Sequence, residues 1–314
     1  MSRLPVIAVT GATGFVGREI VRQLDASVPG ARLRLLVRDP ERRPLPPELA
    51  RHVLVAGSLS CSDALRDLVA DADTVVHVAG AIGGSTAEAF DQPNIVGTRR
   101  LVDAVRDAAP QAHWIQISSL AARRPDVSWY AASKRAGEEV VSTGIGDYSI
   151  LRPPAVYGPD DPALAAFWRL LGRGWLIRLG PATARFSLLH CADLAEAVVR
   201  LHQHGATGRI ATLSGPQPET GWCWADVAAT AAEVRGGPVR TLPIPKRLLT
   251  SMGTGAGLWG RIMRRDLVLG PGKARELLYP DWVCDNLEIE SALGWRPATR
   301  LRQALDNLPG WTRR

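Results

Sequence analysis

One stretch constrains this chain more than any other: Val6-Ile7-Ala8-Val9-Thr10-Gly11-Ala12-Thr13-Gly14-Phe15-Val16-Gly17. Its apolar, β-branched start suits a strand buried on both faces. Three glycines follow, Gly11, Gly14 and Gly17, and then a helical pattern with Val16, Ile20, Val21 and Leu24 on one face. Strand, glycine turn and helix form the setting in which such a triplet binds a dinucleotide. Gly11 lets the chain turn, Gly14 lets backbone approach a pyrophosphate, and Gly17 lets the helix pack close to the strand. The helix N-terminus then offers free N–H groups and a positive dipole end to the phosphates.

The chain in order supports that start. Arg32 to Val37 reads as a second strand, ending at Arg38-Asp39-Pro40. The residue there faces the adenosine ribose: an acid bonds the 2′-OH of NAD, and an arginine accommodates the 2′-phosphate of NADP. Arg38, with Arg18 as a second candidate, favours NADP(H), and Asp39 keeps NAD(H) open. His52 to Gly57 reads as strand three, and Asp73 to Gly80 as strand four, with His77 a packed strand residue. Asn94 to Ala108 reads as a helix, and Trp114 to Ser119 as strand five. This alternation predicts an α/β fold, a doubly wound parallel Rossmann sheet. Next comes Tyr130-Ala131-Ala132-Ser133-Lys134, opening a helix. Tyr130 and Lys134, four apart, share a helix face. An ammonium beside a phenol favours phenolate and is expected to lower the tyrosine pKa toward neutrality. A serine hydroxyl at the end of strand five would orient the same substrate oxygen.

With these pieces on the page, the chain resembles an extended short-chain dehydrogenase/reductase of the NAD-dependent epimerase/dehydratase-like branch. Thr10 to Gly17 is similar to that family's TGxxGxxG, and His77-Val78-Ala79-Gly80 to its HxAG strand end. Asn94-Ile95-Val96-Gly97-Thr98 is similar to NxxGT, Leu151 to Pro159 to LRPxxVYGP, and Gly294-Trp295-Arg296-Pro297 to a late GWxP turn. The resemblance implies Tyr130 as general acid, Lys134 as its partner and a ribose ligand, and Ser119 as carbonyl-oxygen donor, with Ser118 its rival. It implies a supporting part for Asn94. It also implies cofactor contacts from Gly11, Thr13, Gly14, Phe15, Val16, Gly17, Arg18, Arg38, Ser58, Leu59, Ala79, Gly80, Tyr130, Lys134, Pro153 and Val156. Two departures stand out. The family's GDL reads Gly57-Ser58-Leu59 here, and only eleven positions separate Ser119 from Tyr130. The short connection leaves less loop to cover a sugar.

The expected organisation is a nucleotide-binding part over 1–158 and about 186–204, with an interleaved smaller substrate domain over about 159–185 and 205–314. Phe167 to Trp175 reads there as an apolar helix, and Trp222 to Val227 as a helix start. No apolar run approaches the roughly 18 residues of a spanning helix. The N-terminus leaves no room for a signal peptide. The four cysteines, Cys61, Cys191, Cys223 and Cys284, are scattered, so neither disulfides nor a metal site is expected, and a reducing cytoplasm fits.

The formal charge is +7, and residues 235–314, with 14 basic and 7 acidic side chains, supply all of it. That excess reads either as a site for an anionic partner or as a solvated arginine-rich face. No nucleic-acid readout module is present. The basic, tryptophan-containing 246–265 region reads either as a peripheral membrane contact or as a lid packed on its own core. Together with ten tryptophans, mostly beyond the catalytic helix, it points to NADPH-dependent reduction of a bulky, lipid-like ketone. A 3-keto sphingoid base or 3-ketoceramide at the inner face of the cytoplasmic membrane is the specific expectation. The alternatives are a nucleotide-sugar epimerase or dehydratase, and a non-catalytic NADP(H)-binding accessory subunit. A homodimer through the helices of Asn94 and Tyr130 is what the family implies.

Overall fold

A computed structural model of the chain describes residues 3–42, 45–217, 220–251, 270–308 and 311. The expected strand–helix alternation is present. In chain order come β1 (Val6–Thr10), α1 (Phe15–Ser27), β2 (Arg32–Val37), α2 (Pro47–Ala50), β3 (Val53–Ala56), α3 (Ser62–Val69), β4 (Thr74–His77) and α4 (Ala87–Asp91). A π turn (Gln92–Val96), α5 (Gly97–Ala108), β5 (His113–Ile117), α6 (Trp129–Gly144), β6 (Tyr148–Arg152) and β7 (Ala155–Tyr157) follow. The remainder includes α7 (Ala165–Gly172), β8 (Trp175–Leu179), β9 (Arg185–Phe186), β10 (Leu188–His190), α8 (Cys191–His204), β11 (Ile210–Thr212), α9 (Trp224–Arg235), β12 (Arg240–Ile244) and β13 (Asp281–Trp282).

Seven strands form one sheet in the order β11-β6-β5-β4-β1-β2-β3. Every pairing in it is parallel. All five residues of β1 are buried, because the sheet is covered on both faces. Successive side chains alternate between those faces. Ile7 and Val9 join Ile20, Val21 and Leu24 of α1 and Leu194 and Val198 of α8 in one core. Val6 and Ala8 join Leu65 and Leu68 of α3, Leu101 and Val105 of α5, and Val140 and Val141 of α6 in the other. A third apolar cluster gathers Tyr157, Trp168, Leu171, Leu176, Leu188, Val227, Leu301, Leu305 and Trp311. Ile289, Leu293 and Trp295 instead pack into the first core. Among the described residues, no helix is long and apolar enough to cross a membrane.

Two local readings are corrected. The helix expected from Asn94 begins with a π turn, in which the Gly97 N–H reaches back five residues to the Gln92 carbonyl. Pro93 has no N–H to give to a regular ladder, and a π bulge absorbs the extra residue. Trp175, expected in a helix, opens strand β8 and is 42% exposed, because α7 ends at Gly172 and Gly174 takes φ +88°.

At the β1–β4 junction a hydrogen-bonded chain has only one consistent direction. Thr98 Oγ1 donates to the Asn94 carbonyl at 2.8 Å, so it accepts from His77 Nε2 at 3.0 Å. His77 Nδ1 is therefore the acceptor, and Thr10 Oγ1 donates to it at 2.7 Å. Thr10 Oγ1 in turn accepts from the Ala79 N–H at 3.3 Å. Burial, with Lys134 adding to it, pushes the His77 pKa down to about 3, so the ring is neutral. The unfolded chain binds a proton on this histidine below about pH 6.5 and the folded chain does not. Its contribution is thus complete above that pH and is lost as pH falls toward about 3. Thermal melts are expected to show stability falling by about 1.4 kcal/mol per pH unit below about 6.5 from this residue alone. A His77→Gln variant is expected to be less stable at pH 8 and to show a shallower acid slope. An unchanged slope would contradict the assignment.

Candidate functional site

In a parallel sheet all strands end on one edge, and a ligand binds where the strand order reverses, here between β1 and β4. Residues after β1 (Gly11 to Gly17), β2 (Arg38), β3 (Ser58, Leu59), β4 (Ala79, Gly80), β5 (Ser118, Ser119) and β6 (Pro153) therefore meet on that edge.

Gly11 takes φ +73°, and a Cβ there would lie 2.6 Å from the Ala79 nitrogen. A Cβ on Gly17 would lie 2.0 Å from the Gly11 carbonyl oxygen. The turn is thus closed to larger residues on its inner side. Its outer side is open: Thr13 and Gly14 are exposed. Gly14 caps α1 without a side-chain hydrogen bond, and no acidic residue occupies the first turn. Free N–H groups and a positive helix end suit a pyrophosphate, so this cradle fits a dinucleotide. Phe15 closes the turn against Gly158, where a Cβ would lie 3.2 Å from its ring. Val16 and Val156 are half-buried and packed on the first core. Pro153 is buried, its carbonyl accepting from Leu120 N–H at 2.8 Å.

The edge of β2 and β3 is more open. Arg38 is exposed, and Asp39 beside it adopts φ +48°. Arg18 does not turn toward them: its Nη2 lies 3.7 Å from Asp160. Ser58 Oγ lies 2.7 Å from Ser60 Oγ, and Leu59 packs against Gly97 at the start of α5.

At the centre stands α6, capped by Ser128, whose Oγ accepts from the Ala131 N–H. Tyr130 and Lys134 lie one turn apart on it. Lys134 is buried, and its Nζ donates to the Ile117 carbonyl at 2.7 Å. Burial lowers its pKa to about 8, with the Glu138 charge opposing. The expected lowering of the tyrosine pKa is not found. Burial raises Tyr130 to about 12, a hydrogen bond with Ser119 opposes, and the Glu276 charge adds to the rise. Desolvation of the anion outweighs the Ser119 hydrogen bond, and the Lys134 ammonium is committed to the Ile117 carbonyl. At neutral pH Tyr130 is a phenol with a proton to give.

The two serines separate by environment. Ser118 is buried and donates to Glu138 Oε1 at 2.5 Å, and Glu138 is itself held by Arg152. Ser119 is half-buried, accepts from the Ala121 N–H at 3.2 Å, and faces Tyr130. Asn94 is buried in the π turn: its Oδ1 accepts from Ala81 N–H at 2.8 Å, and its Nδ2 donates to Ala81 O and Ser133 Oγ. Ser133 donates to the Tyr130 carbonyl. Asn94 therefore ties the strand β4 end to the helix of Tyr130. Gly137 permits the close approach, since a Cβ there would lie 2.6 Å from the Asn94 carbonyl oxygen.

Sequence reading missed several participants. Ser133 and Glu138 carried a signal, as each sits on the Tyr130–Lys134 helix at a position that can face the sheet. Glu276 carried none. It lies in the helix Pro271–Leu278, accepts from the Ser128 hydroxyl and is paired with Lys273 at 3.0 Å. Part of the expected 246–265 segment, residues 252–265, lies outside the described residues.

The family model of the NAD dependent epimerase/dehydratase family matches residues 7–213. The chain is 38% identical over 277 residues to the ceramide reductase of Caulobacter vibrioides, covering 88% of this chain and 85% of that protein. It is 27% identical over 224 residues to the mitochondrial NADH dehydrogenase (ubiquinone) 1 alpha subcomplex subunit 9 of Arabidopsis thaliana, covering 67% of this chain and 54% of that one. Two solved structures share the fold. RMD from Pseudomonas aeruginosa complexed with NADPH superposes with a TM-score of 0.68 at 20% identity, over 98% of this chain and 97% of that one. UDP-glucuronic acid 4-epimerase from Bacillus cereus in complex with NAD gives 0.70 at 17% identity, over 98% of both.

Gly11→Ala is expected to abolish dinucleotide binding by calorimetry and to lower the melting temperature, because the new Cβ meets backbone. Asn94→Ala is expected to cost roughly 1–3 kcal/mol, since the Ala81 amide and Ser133 hydroxyl lose buried partners. A wild-type melting temperature for Asn94→Ala would show that the tether carries no load.

Proposed function

The chain belongs to the NAD-dependent epimerase/dehydratase family and is an NAD(P)-dependent oxidoreductase of the short-chain dehydrogenase/reductase type. From that premise we propose that it reduces a ketone on a bulky, apolar substrate to a secondary alcohol with NADPH, and that the substrate is 3-ketosphinganine or 3-ketoceramide. The observation that carries the reductive chemistry is a protonated Tyr130 beside Ser119 and Lys134 at the sheet edge that also holds the glycine cradle. The substrate class rests on the 38% identity to a ceramide reductase. Exposed Ile82 and Trp129 support it, one residue beyond Ala81 and one before Tyr130, as does the Phe90 ring 6.2 Å from Tyr130.

When bound, the nicotinamide cofactor supplies the hydride. The chain's own residues do the rest. The glycine turn and the α1 N-terminus hold the pyrophosphate, and Arg38 takes the 2′-phosphate. Ser119 Oγ orients the carbonyl oxygen, and Tyr130 gives its proton to the alkoxide that develops there. Lys134 lies one turn from Tyr130 on the same helix; it would bond the nicotinamide ribose, and its ammonium would offset charge on the phenolate left behind. Asn94 fixes the loop and the helix relative to each other. Ser118 is a structural residue, its hydroxyl spent on Glu138.

The family match also favours a second reading, a nucleotide-sugar epimerase. That activity recycles a tightly held cofactor and shows no net NADPH consumption.

The test is oxidation of NADPH by purified protein offered 3-ketosphinganine, its N-acylated form and UDP-sugars. Turnover of the lipid ketones is expected, falling by roughly 10²–10⁴-fold in Tyr130→Phe with cofactor affinity retained. Reduction confined to polar sugar substrates would overturn the reading. Lys134 keeps its proton below about pH 8, whereas Tyr130 keeps its own to about 12. The reductive rate is therefore expected to fall above about pH 8, and Lys134→Met to lose that limb. Arg38→Gln is expected to raise the KM for NADPH about tenfold or more and to leave NADH little changed.

A further inference from the structure

Two segments far apart in sequence lack acidic residues altogether. Residues 162–192 carry Arg169, Arg173, Arg178 and Arg185, and residues 234–251 carry Arg235, Arg240, Lys246 and Arg247, with no Asp or Glu in either. The fold joins them: β8 from the first pairs with β12 from the second, in parallel, as a two-stranded sheet. Residues opposite each other in such a pair share a face. Leu176 is fully buried in the third core, so it marks the inner face. The register then places Trp175, Ile177 and Leu179 of β8 on the outer face beside Arg240, Leu242 and Ile244 of β12, an edge strand exposed on both sides from Arg240 to Pro243. Trp175 is 42% exposed and Leu242 48%. The Arg240 guanidinium carbon lies 5.7 Å from the centre of the Trp175 ring. β12 leads directly to exposed Lys246 and Arg247 and to Leu248, 49% exposed.

We infer that this outer face docks on an anionic lipid bilayer, with Trp175, Leu242 and Leu248 seated among the acyl chains at the interface and Arg240, Lys246 and Arg247 at the headgroups. Two segments with exposed tryptophan and leucine and with cations, neither carrying a carboxylate of its own, meet the two requirements of interfacial binding at once. Charge complementarity selects the occupant. Arg185 is answered by Asp226 and Arg235 is buried against backbone carbonyls. Arg240, Lys246 and Arg247 remain at the surface, in a stretch that offers them no acid of its own. One helix links the end of β8 to the candidate site. Gly180, at the end of β8, abuts Leu277 of the helix Pro271–Leu278, and Gly272 of that helix abuts Ser128, the cap of α6. The inference deepens the lipid-substrate reading and rests on it for its purpose, since docking here sets the Tyr130 helix near the bilayer that stores such a substrate.

The experiment uses the full chain and substrate-free vesicles, so its result is independent of which ketone is reduced. Co-sedimentation is measured with phosphatidylglycerol and with phosphatidylcholine vesicles. Binding is expected to be at least tenfold tighter to phosphatidylglycerol and to weaken as salt rises. Leu242→Glu and Trp175→Ala are each expected to weaken it tenfold or more, with NADPH affinity and melting temperature unchanged as the check on folding. Arg240→Gln with Lys246→Gln is expected to erase the preference for the anionic lipid. Wild-type protein that ignores both vesicles, or a Leu242→Glu variant that binds like wild type, would overturn the inference. So would a wild-type dimer in sedimentation velocity that Leu242→Glu converts to monomer, which would assign the face to a second copy. Vesicle binding with no turnover of any sphingoid ketone would sink the substrate assignment alone.

Discussion

The hydrogen-bonded line from the Ala79 amide through Thr10, His77 and Thr98 to the Asn94 carbonyl is what the rest of the site hangs on. It crosses from β1 to β4, where the strand order reverses, and then to the π turn. Each bond is worth about 1 kcal/mol net, but a buried group left without its partner costs roughly 1–3 kcal/mol. The line therefore behaves as a unit. It fixes the β4 end against which Gly11 turns, and through Asn94 and Ser133 it reaches the backbone of Tyr130. The cradle and the Tyr130 helix are thereby held to one frame by buried bonds.

That frame explains why the tyrosine is tuned upward in this structure. A half-buried, desolvated phenol near Glu276, on the same helix as an ammonium already bonded to the Ile117 carbonyl, keeps its proton. For a reduction this is the useful state, since the reaction needs a donor when negative charge builds on the substrate oxygen. Lys134, lowered to about 8 by the same burial, supplies the group that titrates nearest to neutrality. Two residues on one helix face have their pKa values pushed apart by one cause, loss of water, which favours the neutral form of each.

Much of this was legible in the residues. Val6 to Gly17 specified a buried strand, a turn that excludes side chains and an uncapped helix, because each demand falls on local backbone. The Tyr130–Lys134 spacing specified a shared helix face for the same reason. What could not be read depended on distant partners. Ser118 and Ser119 are adjacent in sequence, and only Glu138 and Arg152, brought in from α6 and β6, tell them apart. The sign of the Tyr130 shift depended on burial, and on Glu276, about 146 residues further along the chain. The π turn at Gln92–Val96 was hidden because Pro93 and a helical apolar pattern give conflicting local signals. Trp175 looked helical by periodicity, but Gly172 and Gly174 end the helix before it.

The central claim is net hydride delivery to a lipid ketone at Tyr130, and isotope transfer tests it most directly. Protein is incubated with NADPH carrying deuterium at the transferable C4 position and with 3-ketosphinganine or its N-acylated form. The alcohol is then analysed by mass spectrometry. The account predicts one deuterium at the former carbonyl carbon and no labelled alcohol from Tyr130→Phe. Alcohol without the label, or no alcohol while a nucleotide sugar is interconverted with the cofactor unconsumed, would contradict it.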